Sequence, residues 1–276
     1  MSTMSSTFAA RCVREPRHPV CFAGRTGCTT RPALIRGGRL GRKKGRHPAT
    51  QWRLPSLSLT PPPELELLAN SAFLETVDPT MPHTDTDAQV WYVPHFLDEE
   101  SLAVVAKLCA KLRANKKMKP DFSVARGRRS AMVPVSDLAY SVFAGQAVVD
   151  LIKTVSKCSV LRCGDYPIEA RLYLPGSNME WHQDVQLYEQ PQLELVFTVD
   201  NESDAHTQWV GSDGVVRQIT PSKNSALLVT ANGAWHRVVE ATTGERTIVK
   251  ALYCPDPTLK KTAAFAELLQ EAPWRR

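Results

Sequence analysis

From residue 168 to residue 254 the chain is a succession of short β-patterned runs, and this restricts the possible folds more than anything else in it. Residues 168–174 alternate. Ile168, Ala170, Leu172 and Leu174 fall on one face and Glu169, Arg171 and Tyr173 on the other, as in a strand with one face on a core. Runs at 193–199, 215–219, 226–230, 235–239 and 247–254 follow, separated by Gly- and Asn-rich turns. Strands this short and closely spaced suit an antiparallel sandwich or barrel. Helical signals come first. Asp98 is placed to cap a helix over 99–112, whose Leu102, Val105, Leu108, Cys109 and Leu112 share a face, and Asp137 to cap a helical region running through Lys157. Residues 90–93 and 131–135 read as strands. Residues 116–129 read as a basic solvated loop, with docking of an acidic substrate as the sharper alternative, and 258–271 as a closing helix. Helices first and strands later give the α+β class.

The net charge of +6 is unevenly placed. Residues 1–53 carry 12 Lys and Arg against one acid, Glu15, whereas residues 54–276 carry 22 against 27. The basic pI therefore belongs to the leader, and the mildly acidic remainder makes nucleic acid an unlikely partner. The leader is rich in Arg, Ser and Thr and has no apolar core of roughly 7–15 residues, which is the composition of an organellar transit peptide. Its uncharged first ten residues lean toward a plastid, and the spaced Arg11, Arg14 and Arg17 toward a mitochondrion; otherwise it is a disordered basic leader on a cytoplasmic protein. Residues 54–88, with Pro61-Pro62-Pro63, a short helical run from Leu65 and a turn-rich end, read as a linker. A domain at 89–256 and a C-terminal helix and tail at 257–276 complete the chain. No run reaches the ~18 apolar residues of a membrane helix. Beyond the leader, Cys109, Cys158, Cys163 and Cys254 form no CxxC pair, so neither a zinc site nor a disulfide framework follows.

Two signatures inside the strand-rich region carry chemistry. The first, Tyr173 to Asp184, reads Y-L-P-G-S-N-M-E-W-H-Q-D, and the second, His236 to Arg246, reads H-R-V-V-E-A-T-T-G-E-R. In an extended chain residues two apart point the same way, so His182 and Asp184 can reach one metal, with His236 arriving from another strand. Two imidazoles and a carboxylate on one face leave three open positions, which suits non-haem Fe(II). Arg246 lies ten residues past His236. Fully extended, that segment would span about 33 Å, so a shared pocket requires a reversal, for which Thr242-Thr243-Gly244 supplies the turn chemistry. A guanidinium there can meet a carboxylate bidentately, and the Tyr173 phenol can bond the same group. Gly176 permits a bend or a close backbone approach between Tyr173 and His182.

This pattern, Y-x-x-G-x-x-x-x-x-H-x-D, a distal His and a basic residue ten positions later, resembles the 2-oxoglutarate and Fe(II)-dependent dioxygenases, and within them the prolyl 4-hydroxylase catalytic domain. The opening V-W-Y-V-P-H-F-L-D-E-E-S is also similar to that family's first strand and helix. The resemblance implies a double-stranded β-helix, or jelly roll, with N-terminal supporting helices and a short C-terminal helix. It implies that His182, Asp184 and His236 bind iron, that Arg246 and Tyr173 hold the distal carboxylate of 2-oxoglutarate, and that O2 is consumed with release of succinate and CO2. It adds ascorbate as an accessory reductant. The prime substrate would be a peptide, a protein or a small molecule.

Two departures bear on that substrate. Met179 stands where prolyl hydroxylases often have Tyr, and residues 200–210 lack the family's Gly-Gly-Glu-Thr-like stretch. Three other readings compete. An AlkB-like nucleic-acid demethylase would carry a second Arg six residues after the first, where this chain has Leu252. A non-catalytic jelly-roll binding protein would leave the triad unused. A zinc hydrolase would need a base such as Glu180. His206 is a spare-ligand candidate but more plainly a loop histidine, and Trp181, Trp209 and Trp235 either line the pocket or pack as core. Lys250 shares the strand face of Arg246, so it either extends the positive patch or snorkels to solvent.

Overall fold

The computed structural model describes residue 65 and residues 74–121, 125–258 and 260–272. The leader at 1–53 and most of the helical run expected from Leu65 lie outside these described residues. In chain order the elements are β1 (Leu74–Thr76), β2 (His83–Asp85), β3 (Val90–Val93), α1 (Glu99–Ala114), β4 (Lys119–Pro120), β5 (Ala125–Met132), α2 (Leu138–Ala144), α3 (Gln146–Ser156), β6 (Arg162–Cys163) and β7 (Glu169–His182). Then come β8 (Leu193–Asn201), β9 (Thr207–Val210), β10 (Val216–Ile219), β11 (Ser225–Thr230), β12 (His236–Val238), β13 (Arg246–Cys254) and α4 (Ala263–Glu271).

The 14-residue β7 organises the sheet. Its first half, Glu169 to Tyr173, pairs with β13, while Met179 and His182 near its end pair with β12. One strand thus runs from one layer into the other. The larger layer reads β2-β3-β11-β8-β13-β7, continued by β5 and β4, and the smaller reads β1-β10-β9-β12-β7. All pairings are antiparallel except β1 with β10. This is the expected jelly-roll double-stranded β-helix.

Strand alternation decides what each layer does, because successive side chains leave a strand on opposite faces. On the larger layer Ala170, Leu172, Leu195, Phe197, Leu228, Val249 and Ala251 join one core with Val105, Leu108 and Cys109 of α1, Phe143 of α2 and Ile152 of α3. Fully burying each large apolar side chain contributes about 1.5–3 kcal/mol, so the helices hold this layer rigid from behind. The opposite face, carrying Arg171, Tyr173, Glu194, Val196, Leu227, Val229, Arg246, Ile248 and Lys250, lines a pocket inside the barrel. The alternation expected over 168–174 is therefore the division between core and pocket.

The caps behave as expected. Asp98 Oδ1 accepts from Ser101 N at 2.7 Å, and Asp137 Oδ1 accepts from Ala139 N at 3.0 Å. The single helical region expected after Asp137 is two helices, broken at Gly145, and Lys157 ends the second at φ 59°. This apolar stretch, Leu138–Ser156, is long enough to cross a bilayer, but its buried side packs on the sheet.

Two expectations fail here. The linker at 54–88 contains β1 and β2, which pair with β10 and β3; the β10 partner is remote in sequence, and local composition does not register it. The basic loop at 116–129 is largely the β4–β5 hairpin, since β5 finds its ladder on β7 while Arg126 and Arg129 point to solvent. Charges on such an outer strand also discourage edge-to-edge association. β9 has no counterpart among the strands expected from the sequence, because Thr207 and Gln208 are polar yet buried.

Candidate active site

His182 ends β7, Asp184 follows two residues later, and His236 opens β12 directly across from His182. The two imidazole centroids are 4.1 Å apart. Each ring is oriented in the same way. His182 Nδ1 lies 2.7 Å from Glu180 O, and His236 Nδ1 lies 3.0 Å from Ala234 O. A carbonyl oxygen only accepts, so Nδ1 carries the proton in both rings and leaves each Nε2 lone pair for a metal. Asp184 Oδ2 is 3.3 Å from His236 Nε2, and Oδ1 is 4.0 Å from His182 Nε2. One ligand atom from each residue lies within 4.8 Å of the others. Neighbouring ligands about 2.1 Å from one metal sit roughly 3 Å apart in octahedral geometry, so small side-chain shifts would close the set on a divalent ion.

The charges inside the cluster agree with this. Burial, with the neighbouring His236, pushes the His182 imidazole down to about 3, which keeps it neutral and ready to ligate. Burial also opposes charge on Asp184, but Lys250 and His236 outweigh it and hold the carboxyl well below its ordinary range. Burial opposes charge on His236, but Asp184, the bond to Ala234 O and Glu194 together outweigh it and raise its pKa, so a metal at Nε2 would take the place of a proton that Asp184 favours there.

Arg246 begins β13 opposite Tyr173 of β7. It is only 2% exposed. Its Nη1 donates to Thr207 Oγ1 at 3.1 Å and its Nη2 to Thr198 Oγ1 at 3.3 Å, while Nε is buried without a partner. Burial lowers its pKa against the opposing pull of the Tyr173 and Tyr92 phenols, and no carboxylate appears among the groups acting on it. The other inward cations differ. Arg128 is paired with Asp121 at 2.6 Å, Arg171 with Glu169 at 2.6 Å, and Lys250 with Glu194. Tyr173 accepts from Arg128 Nη1 at 3.3 Å, so its own O–H is free to donate to a ligand. Burial alone would raise that phenol, yet Arg128, Arg171 and Arg246 bring it below its ordinary value. The wall between Arg246 and the triad is apolar, with Val196, Val238 and Ile248. An unpaired buried guanidinium, an available phenol, an apolar wall and a three-ligand cluster fit a short dicarboxylate that chelates a metal.

The reversal that brings Arg246 back is built on Asp204. Its carboxylate accepts from Thr242 N at 2.8 Å, from Thr243 N at 3.0 Å and from Thr242 Oγ1. Gly244 has φ +68°, and a Cβ there would stand 2.1 Å from Glu202 O. Gly244→Ala is therefore expected to cost at least about 1–2 kcal/mol from the left-handed backbone alone, read as a lowered urea midpoint with an unchanged slope. Gly176, at φ +81° with open space around it, serves the bend and not a close approach.

Tyr173, His182, Asp184, His236 and Arg246 thus converge on one pocket. Glu194 is the participant the sequence did not disclose: an inward charge in the otherwise apolar first half of its strand, between Leu193 and Leu195, is the signal that was available. Lys250 neither snorkels nor extends a free positive patch. It is buried among carboxylates because the inward face of β13 carries it there, and burial is outweighed by Asp184 and Glu194, which raise its pKa. Glu180 is exposed and does not line the pocket, which removes the base expected for a hydrolase. His206 Nδ1 is 2.6 Å from Thr220 Oγ1, outside the triad. Trp181, Trp209 and Trp235 pack outside the pocket, Trp181 beneath the Arg237 guanidinium at 4.8 Å. Leu252, six residues past Arg246, packs with Leu187, Tyr188 and Phe265, so no second guanidinium stands there.

No protein-family model and no curated protein matches the sequence. Solved structures do match by shape. A prolyl-4-hydroxylase from Pseudomonas putida aligns over 61% of this chain and 93% of its own, at 15% identity and a TM-score of 0.51. A 2OG-Fe(II) oxygenase family oxidoreductase from Burkholderia pseudomallei aligns over 66% and 95%, at 12% identity and 0.53. The fold is that of the 2-oxoglutarate/Fe(II) oxygenases. The non-heme alpha ketoglutarate dependent epimerase SnoN, from nogalamycin biosynthesis, aligns over 60% and 76%, at 12% identity and 0.52. One scaffold thus spans a hydroxylase and an epimerase, so function has to be argued from the site.

Proposed function

We propose that this chain is an Fe(II)- and 2-oxoglutarate-dependent oxygenase, similar to the prolyl 4-hydroxylases, that hydroxylates a peptide, protein or small molecule. The observation that carries the reading is Arg246, a fully buried guanidinium with no carboxylate among the described residues and a three-ligand cluster in the same pocket. A buried charge left unpaired costs stability unless a ligand completes it.

In this reading His182, Asp184 and His236 hold the iron through Nε2, a carboxylate oxygen and Nε2. Arg246 and Tyr173 hold the distal carboxylate of 2-oxoglutarate, with Thr198 and Thr207 fixing the guanidinium plane. Val196, Val238 and Ile248, which line the pocket, would pack against the methylene carbons. The iron, when bound, supplies oxygen activation coupled to oxidative decarboxylation of the co-substrate. The chain supplies placement. The Nδ1 bonds of both histidines fix their tautomers, and the apolar wall would guide how a bound co-substrate is placed. Met179, on the same pocket, leaves an apolar surface beside the triad where a tyrosine would offer a hydroxyl.

The test is Fe(II)-dependent conversion of 2-oxoglutarate to succinate by the full chain, beside His182→Ala. Turnover by the wild type and none by the variant is the expected result. Absence of turnover together with absence of 2-oxoglutarate binding by calorimetry would sink the proposal in favour of a non-catalytic barrel. Binding without turnover would call for a screen of prime substrates.

A further inference from the structure

Lys250 stands between two buried carboxylates. Its Nζ lies 3.4 Å from Asp184 Oδ1 and also contacts Glu194 Oε2. Glu194 is held from its other side, where Oε1 accepts from Gln192 Nε2 at 3.0 Å. The two oxygens of Asp184 are thereby divided. Oδ1 faces the ammonium at 3.4 Å and, farther off, His182 Nε2 at 4.0 Å, and Oδ2 faces His236 Nε2 at 3.3 Å. The arrangement draws on three segments: the inward face of β13, the inward face of β8 and the turn after β7.

Resting on the reading of this pocket as a metal centre, we infer that Lys250 is a positioning residue for the metal, holding Asp184 Oδ1 so that Oδ2, the oxygen nearer an imidazole, is the one left to ligate. A carboxylate with both oxygens free can take a metal through one or both. A donor held on one oxygen favours ligation through the other. The distinction matters because a face of three single ligands leaves three positions for co-substrate and oxygen, whereas a two-oxygen carboxylate takes one of them away. Hydrogen bonds to ligating carboxylates have this orienting role at metal sites generally.

Glu194 completes the device. An ammonium this close to a divalent ion is repelled by it, and a buried ammonium without a counter-charge is strongly destabilising. With Asp184 engaged by a metal, Glu194 would be the carboxyl group left in contact with Lys250. The same strand that anchors the co-substrate through Arg246 thus orients the metal ligand four residues later, on the same face.

The experiment is Mn(II) binding by calorimetry to the full-length protein, compared with Lys250→Arg and with the double variant Lys250→Met/Glu194→Gln. The double variant removes both charges together, so neither is left buried alone and folding is protected. Its Mn(II) Kd is expected to rise about 10- to 100-fold, the loss typical of an outer-sphere partner. Its metal-free melting temperature is expected to stay near the wild-type value. Lys250→Arg, which keeps a donor to Oδ1, should recover most of the affinity. An unchanged or tighter Kd in the folded double variant would overturn the inference and make Lys250 a counter-ion only. Failure of the wild type to bind Mn(II) would instead overturn the metal-centre reading, and this inference with it.

Discussion

Arg246→Gln is expected to raise the 2-oxoglutarate requirement for succinate formation by about 30-fold or more, with Mn(II) binding in the absence of 2-oxoglutarate left intact. The magnitude follows from the charge pairing that the substitution takes away. Removing one partner of a buried, hydrogen-bonded charge pair costs about 2–5 kcal/mol, and each 1.4 kcal/mol is about tenfold in affinity. The partner here is the ligand carboxylate, because the described residues provide only the hydroxyls of Thr198 and Thr207 to this guanidinium. Metal binding is spared because Arg246 touches none of the three ligating side chains. Stability should move the other way. Burial disfavours the charged Arg246 in the free protein, so a neutral side chain of similar length is expected to leave the melting temperature unchanged or raised. Addition of 2-oxoglutarate with Mn(II) should raise the melting temperature of the wild type much more than that of the variant, as linkage requires of a ligand bound only by the folded state. Equal co-substrate dependence in the two proteins would mean that the carboxylate docks elsewhere, with Arg171 the next guanidinium in the pocket.

Much of this arrangement was legible in the sequence because the site residues sit on strands whose alternation is regular. Glu169, Arg171 and Tyr173 share a face by period two alone, and that face proved to be the pocket. The reversal between His236 and Arg246 was legible too, since Thr242-Thr243-Gly244 is a turn by composition, although its anchor, Asp204, is 38 residues away from Thr242. What stayed hidden depends on pairing between distant strands. Nothing local says that β1 will find β10, or that the charges of β5 will line a strand beside β7. Lys250 was ambiguous for the same reason. Its own strand fixes the direction of its side chain, but the carboxylates that meet it come from β8 and from the turn after β7, and only the closed barrel brings those three together. Glu194 reads locally as a polar interruption in an apolar strand, and its meaning exists only through Lys250.

Asp184→Asn is expected to weaken Mn(II) binding by more than about 100-fold, beyond the 10- to 100-fold that loss of an outer partner such as Lys250 would cost, and to abolish succinate formation. The substitution preserves shape. It removes the charge on which the cluster depends, since Asp184 is the anion that both His236 and Lys250 face. Without it, two neutral imidazoles and an amide would have to bind a divalent ion beside an ammonium, and the local field would oppose the metal. The fold should survive, because Lys250 keeps Glu194 as its partner and the histidines keep their bonds to Glu180 O and Ala234 O. Metal-free circular dichroism and melting close to wild type, with no calorimetric signal for Mn(II), would be the combined result. Retained Mn(II) affinity in Asp184→Asn would require a different carboxylate to take over, and Glu194 is the candidate already in the pocket. Adding Glu194→Gln to the variant would then abolish the remaining binding. That outcome would move the anionic ligand from the turn after β7 to the inward face of β8, and the division of labour between Asp184 and Lys250 would have to be rewritten around it.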